Sequence, residues 1–245
     1  MNDLAHRFGR RRVDPEERTR LIRDVFRRVA PRYDLMNDLM SLGIHRYWKR
    51  VLVHEAEHAA PRRVLDLAGG TGDVAWKLAR GDRAVDVCDP SLPMMQVGRR
   101  RGPANRIGWV GGCGERLPFR DQAFDLVTIA FGIRNVTHLD VTLQEIRRVL
   151  RPGGRLLCLE FSRPAPWLAP FYDLYSRLVI PRLGAWVSRN PDAYLYLIDS
   201  IRAFPDQETL AEHFRAAGFT GVRYHNLSFG IACIHQGVRP PGDAS

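Results

Sequence analysis

Apolar residues recur at helical spacing between residues 13 and 60, which predicts amphipathic helices. The apolar positions of the first helix are Leu21, Ile22, Val25, Phe26 and Val29. Asp14, Pro15 and the acidic pair after them favour a helix start, and Pro31 ends the helix. A second helix is predicted to end near Ala60.

From Arg63 the pattern changes to short apolar runs that alternate with helical stretches, which predicts a parallel sheet built from βαβ units. The predicted strands are residues 64–68, 84–88, 107–110, 124–130 and 155–161. The predicted helices between them are residues 71–80, 92–101 and 139–150. Gly153 and Gly154 predict a tight turn before the fifth strand.

The end of the chain departs from simple alternation. Residues 163–205 are rich in Pro, Trp and Tyr and too long for a simple connection, which predicts an insertion that covers a substrate. A helix at 206–217 precedes strands at 219–227 and 229–236, and their short connection requires them to be antiparallel. We therefore expect a mobile basic arm at 1–12 and one domain at 13–245, in which residues 13–60 form a helical lid.

Composition and charge limit the cellular location and the partners that are expected for this chain. The chain has 245 residues and four cysteines whose spacing fits neither a zinc site nor a disulfide framework, which predicts a reducing, cytoplasmic location and no metal. No apolar run reaches the length of a membrane span, so contact with the inner face of a membrane is expected to be peripheral. The net charge of +10 fits a phosphate-rich surface, nucleic acid or bilayer, or an arginine-rich genome.

A glycine-rich turn follows the first predicted strand, which predicts a nucleotide-like ligand close to the backbone. Its residues 70–75 also satisfy the dinucleotide pattern GxGxxA, so the loop alone does not separate NAD from S-adenosylmethionine. Asp66 is placed to fix the loop and receive an α-ammonium group, and Asp89 to accept hydrogen bonds from ribose hydroxyls. The antiparallel final strands favour S-adenosylmethionine, because classical dinucleotide domains do not end in this way.

Longer strings resemble the ubiquinone/menaquinone biosynthesis C-methyltransferase family over about residues 25–237. They are residues 29–41 (VAPRYDLMNDLMS) with Gly43, His45-Arg46 and Trp48-Lys49 following, residues 66–73 (DLAGGTGD), 131–136 (FGIRNV), 151–154 (RPGG) and 204–207 (FPDQ). The resemblance implies an α/β fold, that of the class I Rossmann-like S-adenosylmethionine methyltransferases. It has a seven-stranded, mostly parallel sheet with an antiparallel last strand. The implied reaction is C-methylation of a polyprenylated quinol ring.

The resemblance carries cofactor contacts to Thr71, Asp89, Cys113 and Gly114. The family usually shows an acid or Asn followed by Ala at the last two positions, so adenine binding here is expected to use backbone groups, since a thiol accepts poorly. Ala130, where many relatives place Ser, is a second departure. The complete predicted cofactor set is Asp66, Gly69, Gly70, Thr71, Gly72, Asp89, Cys113, Gly114 and Ala130.

Arg134 and Asn135 follow the fourth strand, whose carboxyl end faces the cofactor loop. Because arginine is too basic to act as the base, we expect Arg134 to stabilise a phenolate or orient a water. The base is open among Tyr33, Asp34, His45 and Glu160, although helix capping explains Asp34 and a structural role explains His45 equally well. The predicted catalytic residues are Arg134, Asn135, Tyr33 and His45. An aromatic pocket or ordinary packing accounts for Tyr172, Tyr175, Tyr194 and Tyr196.

The tail of such a quinol stays in the bilayer, so the expected partners are the polyprenyl quinol and the membrane surface. The apolar residues of the insertion could form a channel for the tail or a lid that dips into the membrane, or they could cover the sheet and form a subunit interface. These residues are Trp167, Leu168, Phe171, Leu178, Val179, Ile180, Leu183 and Trp186. The resemblance also implies a homodimer and association with quinone-biosynthesis enzymes. No nucleic-acid methyltransferase motif is present, so no nucleic acid is expected. Two alternatives are a methyltransferase for another phenol-like or lipid substrate, and a non-catalytic S-adenosylmethionine-binding module.

Overall fold

The computed structural model describes residues 3–9, 11–30, 37–38, 41, 43–103, 105–172, 174–175 and 191–242. Its main sheet contains β1 Arg63–Leu67, β2 Ala84–Asp89, β3 Gly108–Gly111, β4 Phe124–Ala130, β5 Leu150–Phe161, β6 Thr220–Leu227 and β7 Ala232–Val238. The strand order is β3-β2-β1-β4-β5-β7-β6. Strands β1 to β5 are parallel, and β7 pairs antiparallel with both β5 and β6. The predicted seven-stranded fold is confirmed.

The central strands are buried on both faces, as expected for parallel strands between helices. Val64, Leu65 and Leu67 of β1 are buried, and the two hydrophobic clusters of the core each contain residues of this strand. Register places Leu67 beside Cys88 of β2 and Ile129 of β4, so the carboxyl ends of the three strands lie together. This edge of the sheet is where ligands bind in open α/β folds.

Helices within the described residues include α1 Pro15–Val29, α2 His45–His58, α3 Asp73–Leu78, α4 Leu92–Arg99, α5 Leu139–Val149, α6 Pro191–Ala203 and α7 Gln207–Ala216. The predicted start of α1 is confirmed, because Oδ1 of Asp14 accepts a hydrogen bond from the Glu17 amide at 2.7 Å. Within the described ranges, no helix is long and apolar enough to cross a bilayer.

Two connections differ from the sequence predictions. Strand β5 begins at Leu150, before the expected turn, and Gly153 lies inside it with φ +77°. A short 3-10 turn, Ser228–Gly230, joins β6 to β7, so their connection is longer than expected. Both differences involve non-repetitive backbone, which leaves no hydrophobic period in the sequence.

Within residues 1–12, expected to be a mobile basic arm, the described part contains a 3-10 helix at Asp3–His6 and paired two-residue strands, Arg7–Phe8 and Arg11–Arg12. The Phe8 ring stacks on Tyr196 of α6 with ring centroids 4.5 Å apart. Strands this short cannot show a period, so only the tertiary contact identifies them.

Candidate functional site

A cavity of about 1100 Å³, counted out to its open mouth, lies at the carboxyl ends of β1, β2 and β4. Its position at this edge of the sheet fits a cofactor site. The predicted cofactor residues that line it are Asp66, Gly69, Gly70, Thr71, Asp89, Cys113, Gly114 and Ala130. Sequence reasoning did not assign a site role to Thr19, Ile22, Arg23, Phe26, Lys49, Asp73, Ser91, Met94, Glu115 and Thr137, which also line it.

Gly72 is the exception among the predicted cofactor residues, because it does not line the cavity. A Cβ atom there would lie 2.7 Å from Cη2 of Trp109, and its φ is +71°. Gly72 is thus required by the left-handed start of α3 and by the close approach of an indole from β3. These two constraints account for glycine at this position without a ligand contact, and cofactor binding at Gly72 stays a prediction.

Asp66 ends its strand inside the cavity wall and is 1% exposed. Its Oδ1 accepts from the Thr128 hydroxyl at 2.9 Å, and its Oδ2 accepts from the Ala75 amide at 3.2 Å. Burial raises the pKa of this carboxyl to about 7, although these hydrogen bonds and Lys49 oppose the shift. The carboxyl group holds the loop to α3 and is ready to ionise when a cation binds beside it.

Asp89 lies across the cavity at the end of β2. It accepts hydrogen bonds from the Gly70 amide at 2.9 Å and from the Ser91 amide at 2.7 Å. Burial raises its pKa to about 6, and the two amides partly offset this effect. Each carboxylate oxygen keeps a second lone-pair site, so Asp89 can still accept from ligand hydroxyls.

Lys49 of α2 reaches the same wall, where Nζ lies 2.9 Å from Oδ2 of Asp73. Lys77 pairs with the other carboxylate oxygen of Asp73. Burial raises the pKa of Asp73, but the two lysines outweigh it and hold that pKa well below its usual range. In the sequence, Lys49 appears only as part of a family string. Its role in the site could not be inferred, because its partner Asp73 lies on another helix.

Helix α1 contributes Thr19, Ile22 and Phe26 to the lining of the cavity. Its anchor is Arg18, which is 2% exposed and donates to the carbonyl oxygens of Arg134 at 3.1 Å and Val136 at 2.8 Å. In an arginine-rich helix, no local signal distinguishes this buried guanidinium from its exposed neighbours.

Arg134, expected to stabilise a phenolate or orient a water, forms a buried ion pair beside the cavity. Its Nη1 lies 2.7 Å from Oε1 of Glu160 and donates to the Phe131 carbonyl at 2.7 Å, and Arg134 does not line the cavity. Burial raises the pKa of Glu160, and Arg134 opposes that shift. Glu160, a candidate base, and Arg134, expected to stabilise a phenolate, therefore neutralise each other. The register of β5 against β4 places Glu160 next to the loop that follows β4.

Asn135 does line the cavity, and its Oδ1 accepts a hydrogen bond from the Tyr196 hydroxyl at 2.9 Å. Burial raises the pKa of Tyr196 to about 12, so the phenol stays a donor at neutral pH. Of the tyrosines considered in the insertion, Tyr196 is therefore the one joined to the site by a described hydrogen bond.

His45, another predicted catalytic residue, does not line the cavity. Its Nδ1 lies 2.8 Å from the Ser41 hydroxyl, and burial together with Lys49 lowers its pKa to about 4. The structural role weighed in the sequence analysis is the one this geometry supports. Tyr33, Asp34 and the side chain of Tyr194 lie outside the described residues, as do the apolar residues predicted at 178–186.

Gly114, noted above as a departure from the expected family pattern, lies against a side chain that leaves no room for a Cβ atom. A Cβ atom at Gly114 would lie 2.8 Å from Cγ2 and 3.2 Å from Oγ1 of Thr142. The Thr142 side chain on α5 therefore takes the space of the missing methyl group, while Cys113 keeps its place in the wall.

The sheet order, with its antiparallel end, and the cavity at the carboxyl edge are those of the Rossmann-like fold found in class I methyltransferases. Among solved structures, the chain is similar to a SAM-dependent methyltransferase from Thermotoga maritima, with a TM-score of 0.63 and 20% identity, covering 89% of this chain and 99% of that one. A phosphoethanolamine N-methyltransferase of Haemonchus contortus, solved with S-adenosyl-L-methionine, gives 0.56 and 16% identity, covering 73% of this chain and 49% of that one.

The particular family follows from the sequence. The chain belongs to the ubiE/COQ5 methyltransferase family, whose model matches residues 13–239. It is 58% identical to the ubiquinone/menaquinone biosynthesis C-methyltransferase UbiE of Rubrivivax gelatinosus over 96% of this chain and 94% of the relative. For the protein of the same name from Paracoccus denitrificans, the identity is 50% over 94% of this chain and 95% of the relative.

The fold by itself does not show methyl transfer. The [4+2]-cyclase SpnF has the same fold, with a TM-score of 0.59 and 20% identity, covering 79% of this chain and 81% of that one. Function must therefore be argued from the family and from the residues of the site.

Proposed function

We propose that this methyltransferase transfers the methyl group of S-adenosylmethionine to a ring carbon of a polyprenylated quinol in ubiquinone or menaquinone biosynthesis. The observation that carries the proposal is that Asn135, held by Tyr196, lines the same cavity as Asp66 and Asp89. The names of the two relatives, both C-methyltransferases of this biosynthesis, support the substrate class.

The donor set of the cavity fits the cofactor. Asp66 would receive the α-ammonium group, Asp89 the ribose hydroxyls, and the backbone at Cys113 the adenine edge. Two carboxyls with pKa values raised by burial match a ligand that brings a positive amino group and neutral hydroxyls. When bound, S-adenosylmethionine supplies the methyl group for an in-line displacement by the ring carbon, which then loses its proton.

The residues of the chain position the ring. Because Oδ1 of Asn135 accepts from Tyr196, its amino group is left to donate to a quinol oxygen and orient the ring. The buried Arg134–Glu160 ion pair ties the loop after β4, which carries Asn135, to strand β5 and would hold Asn135 at the cavity edge. Ile22 and Phe26 of helix α1 add apolar surface to the lining, which would limit the water around a bound ligand and strengthen the electrostatic contacts there.

We further propose that the protein meets its substrate at an anionic bilayer surface. Exposed aromatic residues cluster beside the insertion, where Trp167 is 59% and Phe229 is 67% exposed and their ring centroids lie 5.1 Å apart. Phe229 is held outward at φ +57°, which is unusual for a bulky residue. The net charge of +10 favours anionic headgroups, and the tail of the quinol requires lipid. Homodimerisation and assembly with other biosynthetic enzymes stay predictions of the resemblance.

The test is methyl transfer from labelled S-adenosylmethionine to demethylmenaquinol and to the methoxy-benzoquinol precursor of ubiquinone, both kept reduced in liposomes. Label in either quinol is the expected result, and it names the pathway. Asn135→Ala should lose the transfer, whereas Asn226→Ala, a matched change on exposed β6, should keep it. Arg134→Ala is less suitable, because it would leave Glu160 buried without its partner.

Failure has two distinguishable forms. Cofactor binding without transfer to either quinol would favour a methyltransferase for another phenol-like or lipid substrate, or a non-catalytic S-adenosylmethionine-binding module. Loss of cofactor binding itself would overturn the assignment of the cavity.

A further inference from the structure

Lys49 is a buried cation in the wall of the cavity. It is 5% exposed, whereas Arg23, the other lysine or arginine among the described lining residues, is exposed. Burying an ammonium group is costly unless it is paired. Its position therefore calls for a reason beyond helix packing.

Asp73 does not use up the capacity of this ammonium group. Among the described residues, Oδ2 of Asp73 is the partner of Lys49 Nζ at 2.9 Å. Because a lysine ammonium carries three N–H donors, two of them are left for a ligand. Asp73 also pairs with Lys77, so one carboxylate faces two lysines.

The charges of this wall leave a positive surplus. Lys49, Lys77 and Asp73 together carry +1, and Asp66 beside them has its pKa raised to about 7 by burial. Lys49 is close enough to Asp66 to oppose that shift. A ligand group that carries one negative charge next to one positive charge would complement this wall.

We propose that Lys49 binds the α-carboxylate of the methionyl part of the cofactor, while Asp66 receives the α-ammonium group. The assignment rests on the proposed cofactor and extends it, because it makes Lys49 the residue that selects a ligand with an intact amino-acid end. Asp73 is then a positioning residue that holds the Lys49 ammonium group against the cavity.

The test measures binding alone, with no quinol and no turnover. Isothermal titration compares S-adenosylhomocysteine with its decarboxylated analogue, which lacks the α-carboxylate. The wild-type protein should bind the complete ligand at least about 10-fold more tightly, since a hydrogen bond to a charged group contributes about 1.5–3 kcal/mol. Lys49→Met should weaken S-adenosylhomocysteine by about 10- to 100-fold and leave the decarboxylated analogue within about 3-fold.

Lys77→Met is the matched control, because it removes the second lysine from Asp73 without touching the cavity. It should preserve the preference for the complete ligand, and Lys49→Arg should restore part of it. If Lys49→Met weakens both ligands equally, or neither, the proposal is overturned.

Wild-type protein alone also decides the matter should Lys49→Met fail to fold. Equal affinity for the two ligands would refute the Lys49 assignment and leave the proposed function standing. Binding of neither ligand, nor of S-adenosylmethionine, would overturn both.

Discussion

The Tyr196 hydroxyl donates a 2.9 Å hydrogen bond to Oδ1 of Asn135, and the face of the same tyrosine ring stacks on Phe8. The contact joins helix α6 of the insertion to the loop after β4, 61 residues away in sequence. The ring stack brings the N-terminal strand Arg7–Phe8 close to the site. The orientation of the Asn135 amide is thus set by a residue that does not itself line the cavity.

Tyr196→Phe should lower kcat by up to about 10-fold, because Asn135 loses the donor that orients its amide. S-adenosylhomocysteine affinity should not change, since the cofactor carboxyls are untouched. Steady-state kinetics and titration on the same preparations provide the check. Phe8→Leu is the control, because it removes the ring stack and keeps the hydroxyl. Equal loss of kcat in both variants would show that packing, not the hydrogen bond, matters.

The Arg134–Glu160 pair is buried on both sides, so removing one partner should be more harmful than removing both. Arg134→Met should lower the free energy of unfolding by about 3–5 kcal/mol, because Glu160 is left buried and unpaired. Arg134→Met combined with Glu160→Leu should recover part of this loss. Urea unfolding of the two single variants and the double variant measures the coupling. Additive effects would contradict the pairing.

The raised pKa of Asp66 predicts opposite pH trends for stability and for binding. The folded apoprotein holds the proton up to about pH 7, whereas an unfolded aspartate releases it near about pH 4. Between these values the folded state binds more protons, so this group makes the free energy of unfolding fall as the pH rises. Asp66→Asn should remove that part of the decline, as followed by denaturant unfolding across the pH range.

Cofactor affinity should change in the other direction over the same pH window. The α-ammonium group favours the ionised carboxylate, so S-adenosylhomocysteine should bind more tightly as the pH rises, with release of a proton. Calorimetry near pH 6.5 in buffers of different ionisation enthalpy measures this proton. Its persistence in Asp66→Asn would assign the titration to another group, such as Asp89.

The contact between Gly114 and Thr142 predicts a compensating pair of substitutions. Gly114→Ala should destabilise the protein by about 1–3 kcal/mol, because the new methyl group would lie 2.8 Å from Cγ2 of Thr142. In the Gly114→Ala background, Thr142→Ala should recover most of the lost stability. In the wild-type background, the same substitution should increase the stability by less. Thermal unfolding of the complete cycle tests this, and independent effects at the two positions would argue against the contact.

The exposed aromatic cluster predicts a local determinant of membrane binding. Replacing Trp167 and Phe229 by Ser should weaken co-sedimentation with phosphatidylglycerol-containing vesicles, while Val141→Ser, at an exposed position of α5, should not. Binding to neutral vesicles should be weaker for every variant, since the positive charge then has no counterpart. Unchanged vesicle binding of the double variant would reject the aromatic cluster as a determinant and attribute membrane binding to charge alone.

Much of the fold could be predicted because its signals are local. The alternation of strands and helices, the antiparallel end of the sheet and the capped start of α1 are all written in neighbouring residues. Strand β4 occupies the predicted residues, and most of the predicted cofactor residues line the cavity. Longer family strings, which local periodicity does not explain, indicated the family.

The partners of individual side chains depended on the tertiary structure. The sequence suggested roles toward a ligand for Arg134 and Gly72, and only the structure shows their partners within the chain, a carboxylate from β5 and an indole from β3. It assigned a site role neither to Lys49, which appeared only in a family string, nor to Arg18, because their partners lie on other elements. Local patterns determine which segments are buried, because burial follows periodicity. Which charged group meets which partner depends on strand register and helix docking, and these form only when distant segments pack together.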